Sequence, residues 1–155
     1  MKIHIGSDHA GYELKTAVIN YLQKLAHDVI DHGALTYNSD DDYPVFCIDT
    51  AKAVMADLKA GIDCLGIVIG GSGNGEQISA NKVSGVRCAL VWNEETAKLA
   101  RQHNNANIVS LGARMYCESE AIKLVKTFIN EPFSNGTRHI RRIKLISDYE
   151  INKGI

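Results

Sequence analysis

The segment Gly70–Glu76 combines a glycine-rich loop with a carboxylate and is the stretch of this chain best suited to chemistry. Its glycines allow tight turns and let backbone N–H groups point towards a bound anion or oxyanion. Glu76, at the end of the loop, could act as a base beside that cradle. Proton transfer next to a carbonyl requires this combination, so the segment indicates an enzyme.

Each polar residue of the loop also has a purely structural interpretation. An acidic residue such as Glu76 is favourable in the first turn of a helix, whose dipole would acidify it unless burial offsets the effect. Ser72 could bind a substrate hydroxyl or only cap a helix, and Asn74 could only supply a turn.

Further candidates lie outside the loop. Asp8 and His9 follow the first predicted strand, where Asp8 could instead cap a helix and His9 could be solvated. His103 would lie near a helix C-terminus, where histidines are often structural. Arg138 and Arg142 are four residues apart, so on a helix they share a face that could grip a phosphate or could simply be solvated or salt-bridged. Arg114 would be a further cation.

The elements that must position these residues alternate between strand-like and helix-like patterns. This alternation predicts an α/β domain, with a parallel sheet of five strands and helices on both faces. A last helix has no following strand to lie across, so it is a candidate to pack against a second subunit. The predicted strands span residues 2–7, 27–31, 64–69, 86–92 and 107–111, and the predicted helices about 12–25, 43–60, 77–83, 94–103, 118–129 and 137–150.

In parallel sheets, ligands bind beyond the carboxyl ends of the strands. We therefore expect several post-strand segments to line one rim. These are Asp8 and His9, the glycine loop, Asn93 with Glu94, and 112–114.

Length and composition narrow the possible classes of protein. At 155 residues the chain is expected to form one domain over 1–155. A net charge of −1 argues against nucleic-acid and membrane-surface partners. No signal-peptide pattern and no long apolar run is present, so we expect a cytoplasmic protein. Cys47, Cys64, Cys88 and Cys117 lack metal-like spacing, so neither a metal site nor a disulfide is expected.

Five motifs follow one another between Lys2 and about Glu150. They are Gly6-Ser7-Asp8-His9-Ala10-Gly11, Gly71-Ser72-Gly73-Asn74-Gly75 with Ala80-Asn81-Lys82, Arg101-Gln102-His103-Asn104-Asn105, Gly112-Ala113-Arg114 and Arg138-His139-x-x-Arg142. Together they resemble the ribose-5-phosphate isomerase B family, which also includes galactose-6-phosphate and allose-6-phosphate isomerases.

The resemblance implies a three-layer Rossmann-like fold and a homodimer or dimer of dimers whose active sites use both subunits. It also implies an aldose–ketose isomerase without metal or cofactor, acting on a sugar phosphate. Asp8 and His103 would assist ring opening, and Ser72 would help move a proton between substrate oxygens. Substrate-binding residues would be His9, Gly71, Gly73, Asn74, Gly75 and Asn104, with Arg114, Arg138 and Arg142 on the phosphate.

One position departs from the commoner pattern of the family. Many members place a cysteine base just before the glycine loop, where this chain has Gly70. A second branch lacks that cysteine and uses a glutamate at the end of the loop. Glu76 resembles that branch, so the expected base is Glu76.

Three alternatives to a ribose-5-phosphate isomerase remain at this point. A hexose-phosphate isomerase would use the same chemistry with the phosphate one carbon further away. A nucleotide-binding regulatory module would fit Gly71-x-Gly73 followed by Glu94 about twenty residues later, but Glu76 replaces the third glycine. A catalytically inactive scaffold is disfavoured because the chain keeps the whole set of site residues.

Overall fold

The computed structural model describes residues 1–152 and contains one sheet of five parallel strands. The strand order is β2-β1-β3-β5-β4, which confirms the predicted α/β class and its parallel sheet. The strands are β1 (Lys2–Ser7), β2 (Asp28–Asp31), β3 (Cys64–Gly70), β4 (Cys88–Leu90) and β5 (Ile108–Gly112).

Helices cover both faces of the sheet, as in a Rossmann-like three-layer fold. A short 3-10 turn, His9–Gly11, precedes the first of them. The helices are α1 (Tyr12–Lys24), α2 (Tyr43–Lys59), α3 (Asn74–Ala80), α4 (Glu94–Asn104), α5 (Glu118–Asn130) and α6 (Thr137–Asn152).

Two apolar cores lie between the sheet and the helices on its two faces. The larger core joins α1, α4 and α5 to one face of the sheet, with Val18 and Phe128 fully buried. The smaller core joins α2 and α3 to the other face, through Ala51, Val54 and Ala80. Burying a large side chain such as Phe128 stabilises the fold by about 1.5–3 kcal/mol. The central strand β3 is buried on both faces, which explains its continuous apolar run.

The largest differences from the predicted boundaries are in α3 and β4. Helix α3 begins at Asn74 rather than near 77, because Gly73 takes a left-handed conformation (φ +82°) that starts the helix directly after the loop. Strand β4 is limited to Cys88–Leu90, because it is an edge strand whose three residues are those paired with β5. Glu76 consequently lies in the first turn of α3.

Helix α6 lies against α4 and is not part of the sheet layers. Its Ser147 and Tyr149 side chains, with Ile146, border a groove near Arg87, and Glu150 accepts the Gly85 N–H at 2.8 Å. The side chains of Ile140, Leu145, Ile146 and Tyr149 are about half exposed. Among the helices of residues 1–152, none has the length and hydrophobicity needed to cross a membrane.

Candidate active site

A pocket opens at the carboxyl edge of the sheet, where β1, β3 and β5 end. The turn after β1, the glycine loop after β3 and the residues after β5 all reach it, as the sequence predicts for these segments. Its walls are formed by Asp8, His9, Ala10, Tyr43, Gly71, Ser72, Gly75, Glu76, Arg114 and Met115.

The Glu76 carboxyl is buried at the wall of this pocket, and its pKa is raised. The residue is only 4% exposed, and its Oε2 atom has no hydrogen-bond partner among the described residues. Burial raises the pKa of Glu76 above its ordinary value, and the nearby Asp8 charge adds to this. The backbone N–H groups of Glu76 and Gly73 act in the opposite direction, and burial outweighs them. Glu76 is therefore more basic than an ordinary carboxylate.

Gly70 provides the space that this carboxyl occupies. A Cβ atom on residue 70 would lie 1.7 Å from Glu76 Oε1 and 2.1 Å from Cδ. Any side chain at position 70 would therefore occupy the same volume as the Glu76 side chain. This exclusion gives a physical reason why a base at 70 and a base at 76 are alternatives.

The glycine loop is held between the ends of the strands. The Ala113 N–H donates to the Gly70 carbonyl at 2.7 Å, and the Arg114 N–H donates to the Gly71 carbonyl at 3.1 Å. Ser110 Oγ donates to the Gly73 carbonyl at 2.7 Å. The Arg114 guanidinium lies over Gly71 and is exposed to the pocket. A cation and the start of a helix therefore face the same space, which suits an anionic ligand.

Ser72 and Asn74 are exposed at the start of α3. Ser72 Oγ accepts hydrogen bonds from the Asn74 N–H at 3.3 Å and from its side-chain amide at 3.2 Å. Ser72 thus accepts an N–H at the start of α3, close to the capping role considered for it, whereas Asn74 is the first residue of the helix and not a turn residue. The Ser72 hydroxyl proton still has no acceptor among the described residues, so it can be donated to a ligand in the pocket.

Asp8 and His9 are fixed by local hydrogen bonds. Asp8 is buried and caps the following turn, with Oδ1 accepting the Gly11 N–H at 3.1 Å. Both the backbone N–H and the ring Nδ1 of His9 bind Asp41 Oδ1, at 3.0 and 2.7 Å. Asp41 was not predicted as a partner of His9, since no signal in the sequence pairs the two residues. Tyr43, at the start of α2, was likewise missed as a wall of the pocket.

A second group of expected site residues lies at the opposite, amino edge of the sheet. The Asn104 carbonyl accepts the Nε–H of Arg87, which directly precedes β4, at 2.9 Å. The ring of His103, one residue earlier, stacks on His139 of α6. Arg138 and Arg142 are exposed on α6. One chain therefore does not bring His103, Asn104, Arg138 and Arg142 into the pocket that holds Glu76.

Asn93 and Glu94 do not line the Glu76 pocket, so this part of the predicted rim is wrong. Asn93 Oδ1 accepts the Thr96 N–H at 2.8 Å and caps α4, while Glu94 pairs with Lys123 at 2.5 Å. Both border a neighbouring cavity with Trp92. The edge position of β4 displaces them from the centre of the sheet.

Two groups of side chains within residues 1–152 have metal-ligand types close together. Asp8, His9 and Asp41 form one, and His4, Asp57 and Cys64 form the other. The His9–Asp41 hydrogen bond accounts for the first group, and Lys2 holds Asp57 at 2.8 Å in the second. All four cysteines are free thiols, and burial raises the pKa of Cys64 and Cys88. Neither group gives a reason to assign a metal.

A family model described as Ribose/Galactose Isomerase matches residues 3–146. The chain belongs to the ribose/galactose isomerase family.

Curated relatives in this family are similar over nearly their whole length. Ribose-5-phosphate isomerase B of Mycolicibacterium paratuberculosis is 53% identical over 150 residues, covering 97% of this chain and 92% of the relative. The probable ribose-5-phosphate isomerase B of Mycoplasma genitalium is 44% identical, covering 96% of this chain and 95% of the relative.

Solved structures of ribose-5-phosphate isomerase B have the same fold as this chain. Ribose-5-phosphate isomerase B from Mycoplasma genitalium, solved with bound ribulose-5-phosphate, superposes with a TM-score of 0.91 at 43% identity, covering 97% of this chain and 96% of that chain. The Clostridium thermocellum ribose-5-phosphate isomerase B gives a TM-score of 0.92 at 41% identity, covering 99% of this chain and 100% of that chain.

The family resemblance, the fold class and the prediction of an isomerase are confirmed. Membership in this family argues against the nucleotide-binding module and leaves the roles of individual residues as predictions.

Proposed function

We propose that this chain interconverts ribose 5-phosphate and ribulose 5-phosphate through a cis-enediolate, with Glu76 as the base. The observation that carries the proposal is the buried Glu76 carboxyl, which has a raised pKa and an unpartnered oxygen at the wall of the pocket. Ribose-5-phosphate isomerase activity is the named activity of the relatives with 53% and 44% identity.

Glu76 takes the proton from C2 of the open-chain aldose and returns it to C1. Its raised pKa brings the carboxyl closer to the working pH, which favours both the uptake and the return of the proton. Amide groups of the loop Gly71–Gly75 stabilise the negative charge that develops on the enediolate oxygens. One lost donor at such a site typically costs about 10²–10³ in rate. Ser72 moves a proton between the two substrate oxygens.

The substrate phosphate is held by arginines. Arg114 lies in the pocket, whereas Arg138 and Arg142 lie on α6 at the other edge of the sheet. Among residues 1–152, no carboxylate lies within ion-pair distance of these three arginines, so their charges are available to an anion. Their grip on the phosphate supplies binding energy that orients the reacting carbons.

The site is completed by a second copy of the chain in a homodimer, or in a dimer of dimers. His103, Asn104, Arg138 and Arg142 of one copy complete the pocket formed by Asp8, His9 and Glu76 of the other. Two observations support this arrangement. The two residue groups lie at opposite edges of the sheet, and α6 exposes Ile140, Leu145, Ile146 and Tyr149. In the shared site, Asp8 and His103 assist ring opening, and Asn104 binds substrate hydroxyls.

This scheme requires neither a metal nor a redox cofactor. We also propose that the protein is cytoplasmic, as expected from the sequence. The test is turnover of ribose 5-phosphate by the purified protein after treatment with a chelator, with allose 6-phosphate as a parallel substrate. Pentose turnover supports the proposal. Turnover of the hexose alone keeps the enediolate chemistry and overturns the substrate, and turnover of neither by folded protein overturns the function.

A further inference from the structure

His139 is the one buried residue of α6, whose neighbouring positions are largely exposed to solvent. Its side chain lies against the ring of His103 at the end of α4. The two imidazole rings are stacked, with centroids 4.2 Å apart and planes inclined by 11°. Stacked aromatic contacts at this distance fix the plane of a ring as well as its position. The orientation of His103 therefore depends on His139.

His139 also binds one of the exposed arginines. The Arg138 Nε–H donates to His139 Nε2 at 3.2 Å. An imidazole nitrogen can accept only when it carries no proton, so this contact requires Nε2 to be unprotonated. Burial lowers the pKa of His139, and the positive charges of His103, Arg138 and Arg142 lower it further. The neutral ring that the hydrogen bond requires is therefore the favoured form at neutral pH.

The start of α6 is tied to the end of α4, so the stack does not depend on the rings alone. Ser134 donates both its hydroxyl, at 2.5 Å, and its backbone N–H, at 3.3 Å, to the Gln102 carbonyl. The His139 N–H then donates to the Gly136 carbonyl at 2.8 Å and begins the helix. These bonds hold His139 beside His103 within one chain.

We propose that His139 is a positioning residue of the active site, which orients His103 by stacking and Arg138 by accepting its Nε–H. One buried ring thereby links the group that opens the sugar ring to a group that binds the phosphate. The inference rests on the proposed function, which assigns those roles to His103 and Arg138. His139 itself does not touch the substrate in this scheme.

Two substitutions separate the two contacts. His139→Phe keeps a flat ring on His103 and removes the acceptor for Arg138. His139→Gln keeps an acceptor oxygen and removes the stacked ring. Lys144→Gln, at an exposed position on the same helix, is the matched control for loss of a polar group. All three are assayed as the full chain with ribose 5-phosphate, and folding is checked by circular dichroism and thermal unfolding.

The expected results differ in kind. His139→Phe raises KM about five- to tenfold with little change in kcat, because the phosphate grip loosens. His139→Gln lowers kcat about tenfold with little change in KM, because His103 loses its fixed plane. Lys144→Gln matches the wild type in both constants. The inference would be overturned if His139→Phe lowered kcat and His139→Gln raised KM, or if both variants behaved like Lys144→Gln. A residue that only fills space would not separate the effects on KM and kcat in this way.

A measurement on the wild-type protein covers the case in which a variant fails to fold. Nitrogen-15 NMR of histidine-labelled protein at neutral pH must show an unprotonated Nε2 for His139. A protonated Nε2 excludes the bond from Arg138 and overturns the inference. This readout needs no turnover, so it is distinct from failure of the proposed function, which would appear as inactive wild-type enzyme.

Discussion

Replacing Gly70 by alanine should inactivate the enzyme by displacing Glu76. The added Cβ would lie 1.7 Å from Glu76 Oε1, 2.1 Å from Cδ and 2.8 Å from Cγ. Non-bonded atoms need about 3.5 Å, so Oε1 must move by roughly 2 Å. A displacement of about 1 Å can already cost about 10²-fold in rate, so kcat should fall at least about 100-fold.

The same substitution should cost little stability. The crowded atoms are the far end of a flexible side chain, which can swing away while the backbone of β3 stays in place. A strained rotamer costs about 0.5–1.5 kcal/mol, so Gly70→Ala should unfold within a few degrees of the wild type. Gly61→Ala is the control. Its Cβ meets nothing within 4 Å, but φ is +77°, so it should lose about 1–2 kcal/mol of stability and keep full kcat.

A double variant tests the reason for the loss. If Gly70→Ala acts by displacing Glu76, adding Glu76→Gln should cost little further activity, because both changes remove the same base. The assay is initial-rate turnover of ribose 5-phosphate, with thermal unfolding measured on the same samples. Wild-type-like kcat for Gly70→Ala, or losses that multiply in the double variant, would show that the substitution does not act by displacing Glu76.

Three further predictions concern the base, the phosphate and the shared site. Because burial raises the pKa of Glu76 and the base must be deprotonated, kcat/KM should fall with decreasing pH around a value above the ordinary glutamate pKa of about 4.3. A pH–rate profile with its acid limb at or below that value would contradict the raised pKa. Arg142→Gln should raise KM about 10–100-fold, the worth of a charged hydrogen bond, in a substrate-saturation assay, and an unchanged KM would remove Arg142 from the phosphate site. At substrate concentrations well below KM, co-expressed Glu76→Gln and Arg142→Gln chains should regain up to about one quarter of the wild-type kcat/KM through heterodimers with one intact site. Mixed dimers without activity would show that each chain forms its site alone.

The elements of the fold could be predicted because their signals are local. The run 64–69 is short and apolar, and the helical segments between strands have regular apolar spacing, so the order of the elements indicated a parallel sheet. The strand order β2-β1-β3-β5-β4 was not predicted, since it depends on long-range pairing. The displacement of Asn93 from the pocket follows from that order, which places β4 at an edge.

The composition of the pocket could be predicted in part. Residues after β1, β3 and β5 meet because the carboxyl ends of parallel strands share one edge, which brings Asp8, Ser72 and Arg114 together. The burial of Glu76 was not visible in the sequence. It depends on α2, which packs on the same face of the sheet as α3. The pKa of the buried Cys47 thiol of α2 is raised by burial and by the charges of Glu76 and Asp8, so α2 lies close to this carboxyl. The volume that Gly70 leaves for the carboxyl likewise depends on how α3 packs on β3, which the sequence does not show.

The sequence also did not show that His103, Asn104, Arg138 and Arg142 lie away from the Glu76 pocket. His103 and Arg138 belong to motifs that are 35 residues apart in the chain, and only tertiary packing shows that both lie away from Glu76. The stack of His103 on His139 had no sequence signal beyond two histidines in separate helices.

The role of Glu76 as the base is tested most directly by kcat of Glu76→Gln with ribose 5-phosphate. The substitution keeps the shape of the side chain and removes its basicity. We expect a loss of about 10²–10⁴-fold in kcat while the fold is retained. Turnover within about threefold of the wild type would contradict the assignment of Glu76 as the base, since a lost general base costs far more than that.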